Sequence, residues 1–156
     1  MTPAKRIRDS QVITTNLVLP NDTNQLGNLL GGTLMHWIDI TAAIAALRHA
    51  DRVCVTASVD ELNFHLPIKL GDIVTLQASV NRAFTTSMEI GVVVTALTTP
   101  GGVPRRANHA YLTFVAVDDN GNPVGVPAAI AESDDEKRRY DEAQARRALR
   151  LQHRRT

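Results

Sequence analysis

Apolar residues recur along this chain in two patterns, one typical of β-strands and the other typical of a buried helix. Short runs rich in Val, Ile, Thr and Phe, bounded by Gly, Pro, Asn or Asp, are typical of strands. Such runs cover residues 11–19, 53–64, 73–83, 87–98 and 108–117. They predict one strand before the main helix and a meander of four strands after it.

The helical pattern runs from Gly31 to about His49 and predicts a helix of about five turns. Its apolar residues spread around most of its circumference, and a helix that is apolar nearly all round is a buried helix. An antiparallel sheet that wraps this helix makes an α+β fold. Because a single small sheet cannot bury every face of the helix, we expect part of that surface, or the edge of the sheet, to meet a second subunit.

The chain has 156 residues, which is enough for one domain with a core and too few for two ordinary domains. Residues 1–130 form the predicted α+β domain, and residues 131–156 form a basic C-terminal helix or tail. Ser133 and Glu136 have the capping-box pattern that starts a helix. No apolar stretch reaches the roughly 20 residues of a membrane span. The basic N-terminus lacks the apolar centre of a signal peptide, so we expect a cytoplasmic protein with no membrane partner.

Asp39 is the one residue that breaks the apolar pattern in the middle of the helix. A carboxylate among apolar side chains is unfavourable unless water hydrates it, a hydrogen-bond donor or cation pairs with it, or it takes part in a reaction. Asp39 is therefore either a polar residue at the one wet edge of the helix, paired with His36, or a group that carries chemistry. The single cysteine, Cys54, lies between two valines in a predicted strand, which favours a core position over a nucleophile.

Four stretches of the sequence resemble the acyl-CoA thioesterases of the hotdog-fold superfamily, and more closely the bacterial acyl-CoA hydrolases related to the cytosolic brain acyl-CoA hydrolase. They read PNDTNQLGNLLGGTLMHWID, VTASVDELNFHLPIKLGDIV, TSMEIGVVV and YLTFVAVDDNGNPVGVP. The resemblance covers about Val12 to Pro127. It implies a sheet wrapped around a central helix, a working homodimer and often a trimer of dimers. It also implies hydrolysis of acyl-CoA to a fatty acid and free CoA, with CoA as part of the substrate and no cofactor.

Carried over by position, the resemblance assigns the acidic residue of the central helix to Asp39 and the loop asparagine to Asn24. It assigns Gly32 to the helix start, where related enzymes hold the thioester oxygen with a backbone N–H. Phe84 and Thr85 stand where relatives commonly have glycine and a basic residue. Arg82, two positions before Phe84, is the candidate to make the phosphate or pantetheine contact instead. The resemblance thus implies that CoA is bound by Asn63, Arg82, Thr86 and Ser87.

The chemistry of these residue types agrees with that assignment. Hydrolysis of a thioester needs an activated water or a carboxylate nucleophile, together with donors aimed at the developing oxyanion. Asp39 fits the base or the nucleophile, Asn24 can orient a water, and the N–H groups at the positive helix end fit the oxyanion. Taken alone, Asn24 also fits a turn and the Gly31-Gly32 pair fits a loop hinge. No metal is required, and the five histidines show no ligand spacing.

Distance along the helix predicts that two subunits share each site. Gly32 and Asp39 are separated by about 10 Å along one helix axis, whereas a base, its water and the thioester carbonyl span only ~6 Å. Two helices that run antiparallel across a two-fold axis remove this difficulty. We therefore expect Asn24 and Gly32 from one subunit and Asp39 from its partner.

The arginines of the tail allow three interpretations. They contact the phosphates of CoA, they belong to a solvated helix face, or they bind nucleic acid. Acidic residues alternate with them and no aromatic platform accompanies them, so we expect no nucleic-acid partner. The arginines concerned are Arg138, Arg139, Arg146, Arg147 and Arg150.

Two other functions of a hotdog domain remain open at the level of sequence. One is a dehydratase that acts on acyl thioesters, which relies on a histidine with a carboxylate, and no histidine here stands in such a motif. The other is a non-catalytic acyl-CoA-binding sensor. Release of free thiol from acyl-CoA separates a hydrolase from both.

Overall fold

The computed structural model describes residues 2–154 and contains one large antiparallel sheet that packs against a long helix. Its strands and helices follow one another as β1 (Lys5–Arg6), β2 (Val12–Leu17), α1 (Gly31–Ala50), β3 (Cys54–Asp60), β4 (Ile73–Ala83), β5 (Ser87–Leu97), β6 (Arg105–Ala116), β7 (Ala129–Ile130) and α2 (Asp134–His153). The large sheet has the strand order β2-β4-β5-β6-β3. Strands β1 and β7 form a separate parallel pair. The order leaves β2 and β3 as the two edges of the large sheet.

The predicted elements are confirmed in their order along the chain, and the short strands β1 and β7 are additional to them. The predicted meander holds for β4, β5 and β6 but is wrong for β3, which pairs with β6 at the far edge and not with β4. Helix α1 begins at Gly31 and β4 covers the predicted residues. Strand β3 is shorter than predicted, because it ends at Asp60 and does not continue to residue 64. The next residue, Glu61, has a φ of 48°, a left-handed conformation that cannot continue a strand. The apolar residues beyond it therefore belong to a loop.

Helix α1 is buried on one face and exposed on the opposite one, so it is not enclosed on all sides within a single chain. Its buried side chains include Leu34, Ile38, Ala42, Ala45 and Ala46. A stripe of three apolar residues on the other face is exposed by 45%, 36% and 53%, namely Ile40, Ile44 and Leu47. One five-stranded sheet covers only one side of a helix, so the stripe fits a contact with a second subunit.

Helix α2 packs on the outer face of the sheet through arginines. Arg146 donates two hydrogen bonds to the buried Glu89, at 2.7 and 2.9 Å, and its guanidinium lies 3.6 Å from the centre of the Tyr111 ring. Burial opposes the charge of Arg146, but hydrogen bonds and attraction to Glu89 outweigh burial and raise its pKa. Arg150 donates to Asp60 at 2.7 Å. These contacts attach α2 to three strands of the sheet.

Most of the arginine tail is therefore engaged in holding the helix in place. Arg147 also turns towards the sheet, where its guanidinium lies 4.2 Å from the centre of the Phe84 ring. The solvated-face interpretation fits Arg138, which pairs at the surface with Asp135 and Glu142. It does not fit Arg146, Arg147 and Arg150, because acceptors on the sheet face them, namely Glu89, Ser87 and Asp60. No helix among residues 2–154 is long and apolar enough to cross a membrane.

Replacing Arg146 by alanine is expected to lower the free energy of unfolding by about 3–5 kcal/mol, because it leaves the Glu89 carboxylate buried without its charged partner. Arg138→Ala on the same helix is the matched control, and it should change stability by less than ~1 kcal/mol because its ion pairs are exposed. Urea unfolding at one fixed protein concentration measures both. Equal midpoints for the two variants would contradict an anchoring role for the Glu89 pair.

Candidate active site

Asp39 is held by a threonine from the neighbouring edge strand. Thr56 of β3 donates a hydrogen bond from Oγ1 to Oδ1 of Asp39 at 2.7 Å. The half-buried carboxylate therefore has one oxygen held by the protein, and its other oxygen can accept a proton. Its partner is Thr56 and not His36. Thr56 was not predicted from the sequence, because the only local signal is a hydroxyl on a strand 17 residues after Asp39.

Asn24 closes the loop that precedes the helix. Its Oδ1 accepts hydrogen bonds from the backbone N–H groups of Leu26 and Asn28, at 2.9 and 3.1 Å. The side-chain carbonyl oxygen of Asn24 therefore stabilises a turn, as the turn interpretation of this residue predicts. Because that oxygen is occupied, the NH₂ group is the part of the side chain that can donate to a ligand.

Helix α1 begins without a side-chain cap. The residue at the N-cap is Leu30, and the first N–H to bond within the helix is that of Leu34, which donates to the Leu30 oxygen at 3.1 Å. The N–H groups of residues 31–33 therefore point out of the positive end of the helix. A Cβ atom at Gly32 would meet nothing within 4 Å, whereas one at Gly31 would lie 3.2 Å from the Phe64 ring. Space beside the Gly32 N–H is thus open.

A cavity of about 330 Å³ adjoins this helix start. Asn24 and Gly31 lie at it, and apolar side chains form most of its wall. The residues that line it are Asn24, Asn28, Leu29, Gly31, Leu34, Phe64, Leu66, Pro67, Ile68, Ala107 and Asn108. Asp39 does not line it. Within one chain, the helix start and the carboxylate therefore belong to different surfaces.

Three of the residues expected at CoA, Arg82, Thr86 and Ser87, do not line this cavity and lie at or near the turn between β4 and β5. The Arg82 guanidinium stacks 4.0 Å from the centre of the Tyr140 ring and donates to the Tyr140 oxygen at 3.3 Å. Ser87 accepts from Arg147 at 3.4 Å. Arg82 and Ser87 therefore both contact α2 in the free chain.

Thr86 and Asn63 occupy two further positions. The backbone oxygen of Thr86 accepts from the N–H of Ala116 at 3.1 Å, so Thr86 lies beside the end of β6, directly before the start of β5 at Ser87. Asn63 is exposed in the loop that follows β3. The loop between Glu61 and the start of β4 thus carries Asn63 and one wall of the cavity, Phe64. The role of these residues towards CoA stays a prediction.

Two other reactive side chains are unsuited to catalysis. Burial raises the pKa of the Cys54 thiol to about 11, so it stays protonated and a poor nucleophile at neutral pH. His49 is buried with Nε2 2.7 Å from the Pro127 oxygen, and its burial lowers its pKa. No group of three His, Cys, Asp or Glu side chains among the described residues is arranged to hold a metal ion.

Comparison with known proteins agrees with the fold. The Thioesterase superfamily profile matches residues 26–101. The acyl-CoA thioester hydrolase YkhA of Bacillus subtilis is 43% identical over 136 residues, which cover 86% of this chain and 79% of YkhA. A hexameric acyl-CoA thioesterase solved without ligand superposes with a TM-score of 0.93 at 37% identity, over 97% of both chains.

An acyl-CoA hydrolase from Staphylococcus aureus is also similar, with a TM-score of 0.89 at 41% identity over 98% of this chain and 96% of that one. It was solved in complex with butyryl coenzyme A and coenzyme A. Alanine variants of one asparagine, one aspartate and one threonine of that enzyme have been solved as well. Along that chain these residues are 15 and 17 positions apart. Asn24, Asp39 and Thr56 have the same separations here.

Mammalian relatives are longer proteins. The mouse acetyl-coenzyme A thioesterase is 34% identical over 150 residues, and the chain spans 27% of its length. The relatives from Bacillus subtilis and Staphylococcus aureus, in contrast, match over most of their length. The chain belongs to the acyl-CoA thioester hydrolases of the hotdog-fold thioesterase superfamily.

Proposed function

We propose that this protein hydrolyses acyl-CoA to a carboxylic acid and free CoA, with Asp39 as the catalytic carboxylate and with active sites shared between two subunits. The observation that carries the proposal is the Asp39 carboxylate, held at 2.7 Å by Thr56 on a helix whose uncapped start opens onto a separate cavity. The reaction needs only water besides the thioester, and no cofactor.

In the proposed reaction, Asp39 takes a proton from a water molecule whose oxygen attacks the carbonyl carbon of the thioester. The NH₂ group of Asn24 orients the water, and the N–H of Gly32 donates to the carbonyl oxygen as it becomes an oxyanion. When the tetrahedral intermediate collapses, the C–S bond breaks and the CoA thiolate takes the proton from Asp39. The products are the carboxylic acid and free CoA, and the Asp39 carboxylate is restored.

Direct attack by Asp39 is the alternative chemistry. The carboxylate would displace CoA and form a mixed anhydride, which water then hydrolyses. A single turnover in ¹⁸O-labelled water distinguishes the two routes. Label goes straight into the product if water attacks the thioester, whereas unlabelled oxygen from Asp39 enters the product if the carboxylate attacks and water opens the anhydride at its aspartyl carbon.

The geometry of α1 supports a shared site. Gly32 and Asp39 lie about 10 Å apart along one axis, and the cavity is lined by Gly31, next to Gly32, but not by Asp39. The exposed stripe Ile40, Ile44 and Leu47 supplies an apolar surface through which two copies can bring antiparallel helices together. We propose a homodimer, and a trimer of dimers as the larger assembly, since a hexameric relative superposes with a TM-score of 0.93.

A cytoplasmic location is proposed by analogy with rodent relatives named cytosolic.

Release of free thiol from acyl-CoAs of varied chain length tests the function. We expect thiol release from saturated acyl-CoAs without any prior unsaturation of the chain. Binding without turnover would instead indicate a sensor, and formation of an enoyl-CoA from a hydroxyacyl-CoA without thiol release would indicate a dehydratase.

Thr56→Val is expected to lower kcat by about tenfold or more with little change in KM, because it removes a hydrogen bond to a charged group without changing the shape of the side chain. Thr56→Ser keeps the hydroxyl and should retain most of the activity. Thr95→Val, on the outer face of β5, is the matched control and should behave as wild type. A Thr56→Val protein with normal kcat would show that the hydrogen bond to Asp39 is not used in catalysis.

A further inference from the structure

A β-bulge in β6 points two consecutive residues into the cavity beside the helix start. Val94 pairs with Asn108, but the next residue, Thr95, pairs with Arg106, so Ala107 is an extra residue in the strand. Side chains normally alternate between the two faces of a sheet. Here Ala107 and Asn108 are both buried, each 3% exposed, and both line the cavity. Bulges of this kind redirect side chains beside functional sites.

Asn108 carries a hydrogen-bond donor that the chain itself does not use. Its Oδ1 accepts from the backbone N–H of His109 at 2.7 Å, which fixes the orientation of the amide. Its Nδ2 is closed off from solvent and has no hydrogen-bond partner among the described residues. A buried donor without a partner is destabilising, so its retention at a cavity wall indicates a ligand that supplies the acceptor.

The rest of the cavity favours an uncharged, mostly apolar ligand. Leu29, Leu34, Phe64, Leu66 and Ile68 contribute apolar side chains, and no Lys, Arg or His lines the space. A carboxylate would therefore lack a cation to pair with it. A plain alkyl chain would fill the space but leave the Asn108 amide unpaired. A hydroxyl or oxo oxygen on the chain would satisfy it.

We infer that this cavity holds the acyl chain of the substrate and that Asn108 selects acyl chains bearing an uncharged oxygen, a hydroxyl or an oxo group, beyond the thioester. The inference rests on the proposed function, because Gly31, which lines the cavity, directly precedes the Gly32 N–H assigned to the thioester oxygen. Sites that pair a buried polar group with a substrate oxygen discriminate strongly against analogues that lack that oxygen.

The test compares kcat/KM for butyryl-CoA, 3-hydroxybutyryl-CoA, 4-hydroxybutyryl-CoA and acetoacetyl-CoA on the full-length protein. At least one of the three oxygenated substrates is expected to exceed butyryl-CoA by about tenfold or more. Acetoacetyl-CoA reports whether an oxo oxygen serves as well as a hydroxyl. Hydrolysis of all four substrates with none of the oxygenated ones better than butyryl-CoA would overturn the inference while leaving the proposed function intact. Absence of thiol release from every substrate would overturn both.

Variants of Asn108 separate selection from the intrinsic reactivity of the substrates. Asn108→Leu removes both polar atoms, and Asn108→Asp, assayed as the carboxylate, keeps an acceptor for the His109 N–H but loses the donor. Both are expected to abolish the preference for oxygenated chains. Leu66→Val changes the volume of the cavity without altering the Asn108 amide, so it should change kcat/KM for all substrates by a similar factor. A preference that persists in the aspartate variant would overturn the assignment even if the leucine variant does not fold.

Discussion

Asp39→Asn is expected to lower kcat for acyl-CoA hydrolysis by about a hundredfold or more, as the loss of a positioned base or nucleophile does. The amide has the shape of the carboxylate and its oxygen can still accept from Thr56, which donates to Asp39 at 2.7 Å. The fold and the oligomer should therefore persist. Initial rates of thiol release, with the melting temperature measured in parallel, check both parts of the expectation.

Asp141→Asn on the exposed side of α2 is the control for this measurement. It makes the same chemical change far from the proposed site and should leave kcat unchanged. If Asp39→Asn turned over normally with an unchanged melting temperature, Asp39 would be a structural or peripheral residue, and the mechanism would need another base.

Two inactive variants are expected to restore activity to each other when they are unfolded and refolded together. If Asn24 and Asp39 serve one site from different subunits, a dimer of an Asn24→Ala chain and an Asp39→Ala chain has one intact site and one doubly altered site. Random pairing makes about half of the dimers mixed, so about a quarter of wild-type activity should return. The rate of thiol release before and after joint refolding measures the restored activity.

The matched control uses two residues that act from the same chain. Asp39 and Thr56 form their hydrogen bond within one subunit. A refolded mixture of Asp39→Ala and Thr56→Val should therefore have no more than the average activity of the two variants. Activity that stays absent in the Asn24 and Asp39 mixture would mean that both residues serve from one chain, and the shared site would be wrong.

The local sequence pattern determined where several helices and strands of this protein begin and end. The start of α1 at Gly31, the extent of β4 and the capping box of α2 depend on residues within a few positions of each other, and all three are observed. In the capping box, the Glu136 N–H donates to Ser133 at 3.1 Å and Glu136 accepts from the Ser133 N–H at 3.0 Å. Asp39 was identifiable because one carboxylate interrupts an apolar helix.

Tertiary structure decided what these residues contact. The hydrogen bond from Thr56 to Asp39 and the bulge that turns Asn108 inward depend on how strands pair. The sequence left the arginines of α2 open between CoA phosphates, a solvated face and nucleic acid, yet Arg146 contacts the buried Glu89, 57 residues away. Periodicity in sequence reports which side of an element is apolar. It does not report which partner the fold brings to the polar side, because that choice is made by residues distant in the chain.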